Sequence, residues 1–420
     1  MNLYAVIGGS IWGNRGAEAM VTTTIGRVRE LDVQASFVIM TYFPTRDRAL
    51  VEDPTIEIVS ATPAYTILQF FFALLCRMAS LVGFRVPSKA LPNSVRLLRE
   101  CRAIFDVSGV SFHDGRLAVV AYNLFCLWPA MLLRVPVIRL SQAMGPFENL
   151  LNRIPARWVF KRSLHSFARG RHTAGFIEAL GVPHDSWSVA PDVAFSFEPD
   201  DSLTDENEAR VSAVSGLLES VRATGTRVVA LLPSSLVDLK VGDGGGDYVG
   251  LLARLIRELH EHGCHVVVLP NATREGEVAA RNNDLVVISE LRDRIAPMEV
   301  AGQLITYVDF DLNTRSIRAL IDGSSLVITS RFHAMVAGLA LGIPTMVIGW
   351  SHKYDEVLES FGSSDYAIDF SEADERLIPM AFDLLENGDE VRRKISTVLP
   401  GVIEASRAQF EVVNELSASS

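Results

Sequence analysis

A short polar stretch between two apolar segments carries the residue types best suited to chemistry in this chain. Ser330, Arg331 and His333 follow the apolar segment 325–329, which predicts a buried strand, and precede the segment 334–341, which predicts a helix. In a parallel sheet, the turn from a strand to the next helix lies at the carboxyl end of the strand, where ligands bind. Backbone N–H groups and the helix dipole favour an anion there. The stretch therefore predicts a phosphate- or carboxylate-binding turn with a proton donor beside it.

Each of these side chains also has an ordinary structural interpretation. An arginine near a helix start is most often solvated or salt-bridged, and an isolated histidine is most often structural. Here the two residues share one predicted turn, and Lys353 follows just beyond the next apolar segment, 345–348. Because Arg and Lys bind anions and His transfers protons near neutral pH, the combination favours a functional site.

A glycine-bearing turn follows the first predicted strand. Residues 8–16 include Asn14 and Gly16, and Glu18 lies near the start of the helix that follows. Glycines at such a place let the backbone approach a ligand closely. The spacing differs from the dinucleotide-binding pattern, and no acidic ribose partner stands at the expected distance. The turn is therefore either a ligand-binding turn or only a tight connection.

Two more candidate positions lie at predicted strand ends in the first half of the chain. His113 and Asp114 belong to a second glycine-bearing turn, 108–115, and Arg169 follows a short strand at 166–168. Asp114, Glu18 or His113 could activate a hydroxyl group of a substrate. Arg169 is a second candidate for anion binding.

Composition restricts the class of protein. The chain has 420 residues, of which 49% are hydrophobic and 21% charged, and its formal net charge is −11. These values are typical of a globular protein, and the absence of a block of basic residues argues against nucleic acid as a partner. The four cysteines show neither metal-ligand nor disulfide spacing and predict thiols in a reducing compartment. We predict no metal site and no cofactor. The first residues predict a strand rather than a signal peptide, which favours the cytoplasm.

Alternating apolar segments and helical patterns predict an α/β fold with two domains. The acidic, turn-rich passage 198–210 predicts the boundary between them. We expect an N-terminal domain at 1–198, a C-terminal domain at 199–371, and helices at 372–420 that pack back toward the N-terminal domain. Within the second domain, the β-branched run 285–288 predicts a strand.

Residues 63–84 interrupt this alternation with a long apolar stretch. At helical spacing, Thr66, Gln69, Ala73, Arg77 and Ser80 form one narrow polar stripe on a broad apolar body. Such a helix either belongs to a core or lies in a membrane interface. A membrane span is disfavoured because Arg77 would lie within the bilayer. We expect a helix that touches the inner face of the cytoplasmic membrane without crossing it, with the apolar body, including Phe70, toward lipid.

Several of these motifs, taken in order, resemble the polysaccharide pyruvyl transferases. The motifs are the segment 13–18, the segment 142–146 (read as a turn), Arg169, the Ser-Arg-Phe-His turn at 330–333, and Lys353. The resemblance covers most of the chain. It implies two Rossmann-like domains in a GT-B-type arrangement with the active site in the interdomain cleft. It also implies phosphoenolpyruvate as donor and a sugar of a cell-envelope polysaccharide, or of its lipid-linked precursor, as acceptor.

The resemblance implies roles for the candidate residues on these motifs. His333 would be the general acid, with Arg331, Arg169, Lys353 and Ser330 binding the donor, and Arg331 and Arg169 would hold one donor molecule from two sides. The acceptor-binding candidates are Asn14, Gly16, Glu18, His113 and Asp114. The sequence departs from the family pattern at three positions. Ala17 replaces an acidic residue, Gly170 stands where an acidic residue commonly follows the arginine, and Trp350 stands where a tyrosine commonly precedes the lysine. Two alternatives remain, a glycosyltransferase that uses a nucleotide sugar and a non-catalytic relative that binds glycan.

Overall fold

The computed structural model describes residues 2–199, 203, 204, 206–274, 281–296, 305–349 and 352–418. The chain forms two compact units. The first comprises Met1–Trp12, Ala17–Thr204 and Glu404–Ser420, and the second comprises Gly13–Gly16 and Asp205–Ile403. Each unit is built on its own parallel sheet.

The sheet of the first unit has the strand order β3-β2-β1-β4-β6-β7-β8, with β5 paired to β6. All of its strand pairs are parallel. Its strands are β1 (Asn2–Ile7), β2 (Ala35–Thr41), β3 (Ile56–Ser60), β4 (Ala103–Asp106), β5 (Val110–Ser111), β6 (Val137–Met144), β7 (His165–Ala168) and β8 (Trp187–Val189). Most of these strands are apolar along their whole length because helices cover both faces of the sheet.

Helices of the first unit connect these strands, and the last part of the chain adds two more. They are α1 (Arg15–Leu31), α2 (Pro44–Leu50), α3 (Pro63–Leu81), α4 (Asn93–Glu100), α5 (Leu117–Leu133), α6 (Leu150–Phe160) and α7 (Arg171–Leu180), followed near the chain end by α16 (Gly388–Ala408) and α17 (Val412–Ala418). The first residues of α1 and most of α16 are assigned to the second unit. Pro129 lies inside α5, which continues beyond it to Leu133.

The second unit has the strand order β11-β10-β9-β12-β13-β14, again fully parallel. Its strands are β9 (Val228–Leu232), β10 (His265–Val268), β11 (Ile305–Tyr307), β12 (Leu326–Thr329), β13 (Thr345–Gly349) and β14 (Ala367–Asp369). Its helices are α8 (Glu208–Ala223), α9 (Ser235–Asp243), α10 (Tyr248–Glu261), α11 (Asp284–Ile295), α12 (Thr314–Ile321), α13 (Phe332–Ala340), α14 (His352–Ser360) and α15 (Ala373–Glu386). Chain direction across the sheet reverses between β9 and β12, the kind of place where open α/β sheets bind ligands.

The predicted strand at 285–288 is wrong, because these residues belong to helix α11. The buried positions of α11 include Val287, Ile288, Leu291 and Ile295, which is helical spacing. Asn283 directly precedes the helix, and Asn is a common N-cap residue. The capping pattern therefore indicated the secondary structure of this segment better than its β-branched residues did. The segment 142–146 also differs from its prediction as a turn, since β6 continues to Met144 by pairing with β5.

The division of the chain differs from the predicted boundaries in three places, one of which is the assignment of Gly13–Gly16 to the second unit. The first unit extends to Thr204, whose N–H donates to the carbonyl of Leu50. Of the predicted C-terminal helices, α15 belongs to the second unit, where it packs against α10 and β12. Only residues 404–420 join the first unit, where Phe410 and Val413 enter its core.

Helix α3 confirms the predicted helix, and its apolar body lies mainly on the outer side, as expected. Thr66, Gln69 and Ala73 of the polar stripe are buried, whereas much of the apolar body is exposed, including Phe71 at 60%. Phe70 is an exception, since its ring contacts Phe125 and Trp128 of α5. The alternative of a helix wholly inside the core is therefore wrong.

Candidate functional site

The predicted anion-binding turn lies where the sequence placed it, between β12 and α13. Arg331 is the N-cap residue of α13, and its backbone N–H donates to Thr329 Oγ1 at 2.9 Å. The hydroxyl of Ser330 accepts a hydrogen bond from Tyr248 at 2.8 Å, and both residues are buried. Burial raises the pKa of Tyr248 despite these polar contacts, so its phenol stays a neutral donor. Ser330 thus fixes the turn to helix α10.

The Arg331 side chain is fixed by a carboxylate. Its Nη2 contacts the fully buried Asp284 and lies 3.3 Å from Ser235 Oγ. Asp284 also accepts backbone N–H groups of Ser235, Asn271 and Ala272 at 2.9–3.1 Å. One carboxylate therefore joins the loops after β9 and β10 to the arginine that follows β12. It holds the guanidinium in place and offsets its charge.

One N–H group of this guanidinium has no hydrogen-bond acceptor among the described residues. Arg331 Nε is buried, and it has no hydrogen-bond partner in the part of the chain that the structure describes. A buried donor without a partner costs free energy of about 1–3 kcal/mol. Such a group on a positively charged side chain is suited to an anionic ligand that accepts the hydrogen bond.

Residues 13–16 belong to the second unit, which also contains this turn, rather than to the first unit. Arg15 is buried, and its Nη2 donates to both carboxylate oxygens of Asp311 at 2.7–2.8 Å. Its carbonyl accepts from Thr314 Oγ1 at 2.9 Å, and its N–H donates to the carbonyl of Asn271 at 3.2 Å. The loops after β10 and β11 therefore hold this short segment. Asn14 Oδ1 accepts the N–H of Gly16, which closes the turn locally.

Gly16 touches His333 directly. A Cβ atom added to Gly16 would lie 2.1 Å from His333 Nδ1 and 2.4 Å from its Cγ. The φ angle of Gly16 is outside the left-handed region, so the neighbouring ring, not backbone strain, is what requires glycine. The sequence predicted Gly16 and Asn14 as acceptor-binding residues of the N-terminal domain; the structure places both in the second unit, with Gly16 against the predicted general acid.

These contacts place Ser330, Arg331 and His333 at the carboxyl ends of β9 and β12, where the order of strands across the sheet reverses. Ser235 follows β9, and Arg331 follows the neighbouring strand β12. Both the loop geometry and the N-terminus of α13 favour a bound anion at this point. His333 is half-buried beside it, with its ring edge-on to Phe332 at 5.2 Å between centroids.

Arg169 lies in the first unit, in a separate ion pair. Its Nη1 lies 2.8 Å from Asp192 Oδ2, and both side chains are buried. Gly170 has a φ of 106°, a conformation that an acidic residue would adopt only under strain. The ion-pair partner of Arg169 therefore comes from another loop.

The remaining acceptor candidates also lie in the first unit. Asp114 accepts from Asn152 and from the backbone N–H groups of Glu148 and Asn149 at 2.8–3.1 Å. Burial acts to raise the pKa of Asp114, but these hydrogen bonds outweigh it and hold the pKa below its usual value. The carboxylate is thus a weak base that anchors the start of α6. His113 contacts the carbonyl of Gly145 through Nδ1, and Glu18 is buried in the first part of α1.

The first unit also contains a buried polar network on the 142–146 motif. Gln142 accepts from Ser111 and Arg139 at 2.7 and 2.9 Å, and donates to the carbonyl of Asp106 at 2.9 Å. Arg139 is fully buried, with Asp106 as its charge partner. The motif therefore has a structural role in this unit. Lys353 lies in the first turn of α14, and its side chain is outside the described residues.

Sequence reasoning missed the residues that hold the predicted ones. Asp284, Tyr248, Asp311 and Asp192 all lie far along the chain from the side chains they fix. Only Asp284 had a local signal, because Asn-Asp before a helical pattern is typical of a helix start. Among the described residues, no group of three or more His, Cys, Asp or Glu side chains could hold a metal ion.

Fold and site together define a two-unit α/β protein in which a buried arginine and a histidine lie at the turn between β12 and α13. The family model for polysaccharide pyruvyl transferase matches residues 14–352, and the chain belongs to that family. This confirms the resemblance drawn from the motifs and makes the protein an enzyme of polysaccharide biosynthesis. The amylovoran biosynthesis protein AmsJ of Erwinia amylovora is 22% identical over 300 residues, which are 71% of this chain and 69% of AmsJ.

Solved structures of similar fold support the same architecture. HepE of Anabaena, solved in complex with UDP-glucose, has a TM-score of 0.56 at 12% identity and is matched over 100% of both chains. The UDP-GlcNAc 2-epimerase of Neisseria meningitidis, solved with UDP-GlcNAc, has a TM-score of 0.57 at 11% identity, also over 100% of both chains. These likenesses confirm the predicted GT-B-type α/β fold.

Proposed function

We propose that this enzyme transfers the pyruvyl group of phosphoenolpyruvate to a sugar of a cell-envelope polysaccharide or its lipid-linked precursor, forming a pyruvate ketal. Family membership supports the transfer of pyruvate to a polysaccharide. The choice of phosphoenolpyruvate as donor substrate rests on Arg331. Asp284 fixes this side chain at the start of α13, and its buried Nε–H has no hydrogen-bond partner among the described residues. Phosphoenolpyruvate offers a carboxylate and a phosphate, either of which accepts such a hydrogen bond.

The reaction needs one proton donor and two attacking hydroxyl groups. A proton adds to the methylene carbon of the donor and makes it a methyl group, and the central carbon becomes electrophilic. One sugar hydroxyl attacks this carbon, phosphate leaves, and a second hydroxyl of the same sugar closes the ketal ring. Of the two protons that the hydroxyls lose, one replaces the proton given to carbon and the other leaves with phosphate.

His333 is the proton donor in this proposal. His333 and Arg331 both lie at the start of α13, and the proposal places the methylene carbon of a donor bound to the guanidinium within reach of the imidazole. Gly16 contacts the ring and restricts where it can lie. Proton transfer requires such fixed geometry, because misplacement by about 1 Å can cost about 10²-fold in rate.

The other predicted residues keep their proposed roles on the basis of the family resemblance. Arg331 and Arg169 would bind the donor, and Lys353 would stabilise the departing phosphate. Ser330 positions the turn through Tyr248. No cofactor enters this chemistry. We place the reaction in the cytoplasm, where phosphoenolpyruvate is available.

The test is release of phosphate from phosphoenolpyruvate, measured with and without glycolipid extracted from cells that lack the enzyme. The proposal expects acceptor-dependent phosphate release and a product that carries an acid-labile ketal with one methyl signal in its NMR spectrum. UDP release from a UDP-sugar in the same extract, with no phosphate from phosphoenolpyruvate, would show a glycosyltransferase instead. Glycan binding without either product would show a non-catalytic relative.

A further inference from the structure

Helix α3 turns its apolar side outward. Five exposed apolar residues recur every three or four positions along α3 and its C-cap, which puts them on one side of the helix. They are Leu68, Phe71, Leu75, Met78 and the C-cap residue Val82. Exposure reaches 54% at Leu75 and 56% at Met78. An exposed apolar stripe of this length marks an interaction site in a folded protein.

The polar stripe of the same helix is turned inward. Gln69 is only 1% exposed, and its Nε2 donates to the carbonyl of Ser60 at 3.3 Å. Thr66 Oγ1 donates to the carbonyl of Pro63 at 3.0 Å. A helix that faces water has the opposite arrangement, with polar residues outside. The outer side of α3 is therefore suited to an apolar environment.

The neighbouring helices extend this surface. Helix α3 packs along α5, which also contacts α6, and an aromatic series links the three through Phe70, Trp128 and Trp158. Helix α6 adds Leu150 and Ile154, both strongly exposed. We call the exposed apolar side chains of α3, of the residues just after it, and of α6 the apolar helical face. Its members are Tyr65, Ile67, Leu68, Phe71, Leu75, Met78, Leu81, Val82, Phe84, Leu150, Leu151 and Ile154.

Charge around the apolar helical face differs in sign from the rest of the protein. Residues 61–177, which include α3, α5 and α6, contain 15 Lys and Arg residues and four Asp and Glu residues. Two of these arginines, Arg139 and Arg169, are buried in ion pairs and do not contribute to the surface. The whole chain nevertheless has a formal net charge of −11. Arg85 and Lys89 are exposed just beyond α3. Basic residues beside exposed apolar side chains are typical of proteins that bind the surface of anionic membranes.

The contacts of α3 are those of a helix that lies on a membrane and not of one that crosses it. It is the one helix among the described residues with the length and apolar composition of a membrane span. However, its buried stripe packs on α5, and the strands before and after it, β3 and β4, belong to one sheet. A membrane-spanning helix would have to give up both its packing on α5 and its place between two strands of one sheet.

We propose that the apolar helical face docks this enzyme on the surface of a bilayer that contains anionic phospholipid. The apolar side chains enter the boundary between headgroups and acyl chains, while the exposed Arg85 and Lys89 reach toward lipid phosphates. This inference rests on the surface alone and does not depend on the donor or on ketal chemistry.

The experiment is flotation of the purified full chain with vesicles of phosphatidylcholine alone, or with about 30 mol% phosphatidylglycerol. We expect binding to the anionic vesicles that is at least about tenfold stronger than to the neutral ones, and that weakens at high salt. Phe71→Glu with Leu75→Glu should lower vesicle binding about tenfold or more. Arg85→Glu with Lys89→Glu should remove the preference for anionic lipid.

Leu217→Glu is the matched control, because Leu217 is an exposed leucine on α8 of the other unit, and its replacement should leave flotation unchanged. The substituted α3 side chains are exposed, so the unfolding temperature should stay close to that of the wild type. Phe71→Gln with Leu75→Gln, which adds no charge, repeats the test if the glutamates disturb folding.

Two results would overturn the proposal. The first is a wild-type protein that stays unbound, or binds both kinds of vesicle equally. The second is a lipid-free dimer that Phe71→Glu converts to a monomer, since the apolar helical face would then be an interface between two copies. Neither result concerns phosphate release, so failure here leaves the proposed reaction intact.

Discussion

Replacing Gly16 by alanine tests whether the contact between residues 13–16 and His333 matters for activity. The added Cβ would lie 2.1 Å from His333 Nδ1, whereas ordinary contacts begin at 3.4 Å. The ring would therefore have to retreat by about 1.3 Å, the difference between these two distances. Rotation of the ring is no remedy, because His333 Cβ itself lies 2.9 Å from the new atom.

We expect Gly16→Ala to lower kcat about 10²-fold, the usual consequence of misplacing a catalytic group by about 1 Å. Overpacking should also destabilise the protein by about 1–3 kcal/mol. Gly26→Ala is the matched control, because Gly26 lies in the same helix, α1, with nothing within 4 Å of the added atom. It should stabilise the helix by up to about 1 kcal/mol and leave turnover unchanged.

The assays are acceptor-dependent phosphate release and urea unfolding. In a His333→Gly background the clash disappears, so adding Gly16→Ala there should cost no stability, and the two substitutions should be strongly non-additive. The reasoning is refuted if Gly16→Ala matches Gly26→Ala in both stability and turnover.

Four further outcomes follow from the site. His333→Ala should lower kcat by about 10²–10⁴ while binding of phosphoenolpyruvate changes little, as measured by steady-state kinetics and direct binding; near-normal turnover would remove His333 from the mechanism. Arg331→Lys should raise the Kd for phosphoenolpyruvate markedly because the planar fork is lost, and Arg169→Lys should do the same if Arg169 also binds the donor. Asp284→Asn should destabilise the protein by about 3–5 kcal/mol in urea unfolding, because it leaves the buried Arg331 charge without its partner; an unchanged midpoint would contradict this. The hydrogen bonds of Asp114 hold its pKa below the usual value, so this carboxylate contributes stability that is present above about pH 4 and is lost as the pH falls through the lowered pKa. Asp114→Asn should therefore reduce the loss of stability at acid pH, as measured by the unfolding midpoint plotted against pH.

Local patterns predicted the parallel α/β fold and the turn that carries Arg331 and His333. The strand at 326–329 and the helix after it have clear signals, since a short apolar run is bounded by polar turn residues and the helix ends near Gly342. The one strand predicted wrongly, at 285–288, is a helix whose N-cap signal competed with β-branched composition.

What holds the site together could not be predicted from local sequence. Asp284 is 47 positions from Arg331, and Arg15 is 296 positions from Asp311. Such pairs depend on which loops the strand order brings together, and local spacing contains no information about strand order. For the same reason, the sequence did not show that residues 13–16 belong to the second unit.

The sequence by itself determined the family, the parallel α/β class and the turn that carries Arg331 and His333, because these follow from residue types and short-range spacing. It also determined that α3 has one polar stripe and one apolar side. Only the tertiary structure decided which side faces outward, since Gln69 could be buried against Ser60 only once β3 and α5 were in place. It likewise decided that Arg331 is fixed by Asp284 and that Gly16 contacts His333, because both depend on loops that meet at the carboxyl ends of distant strands.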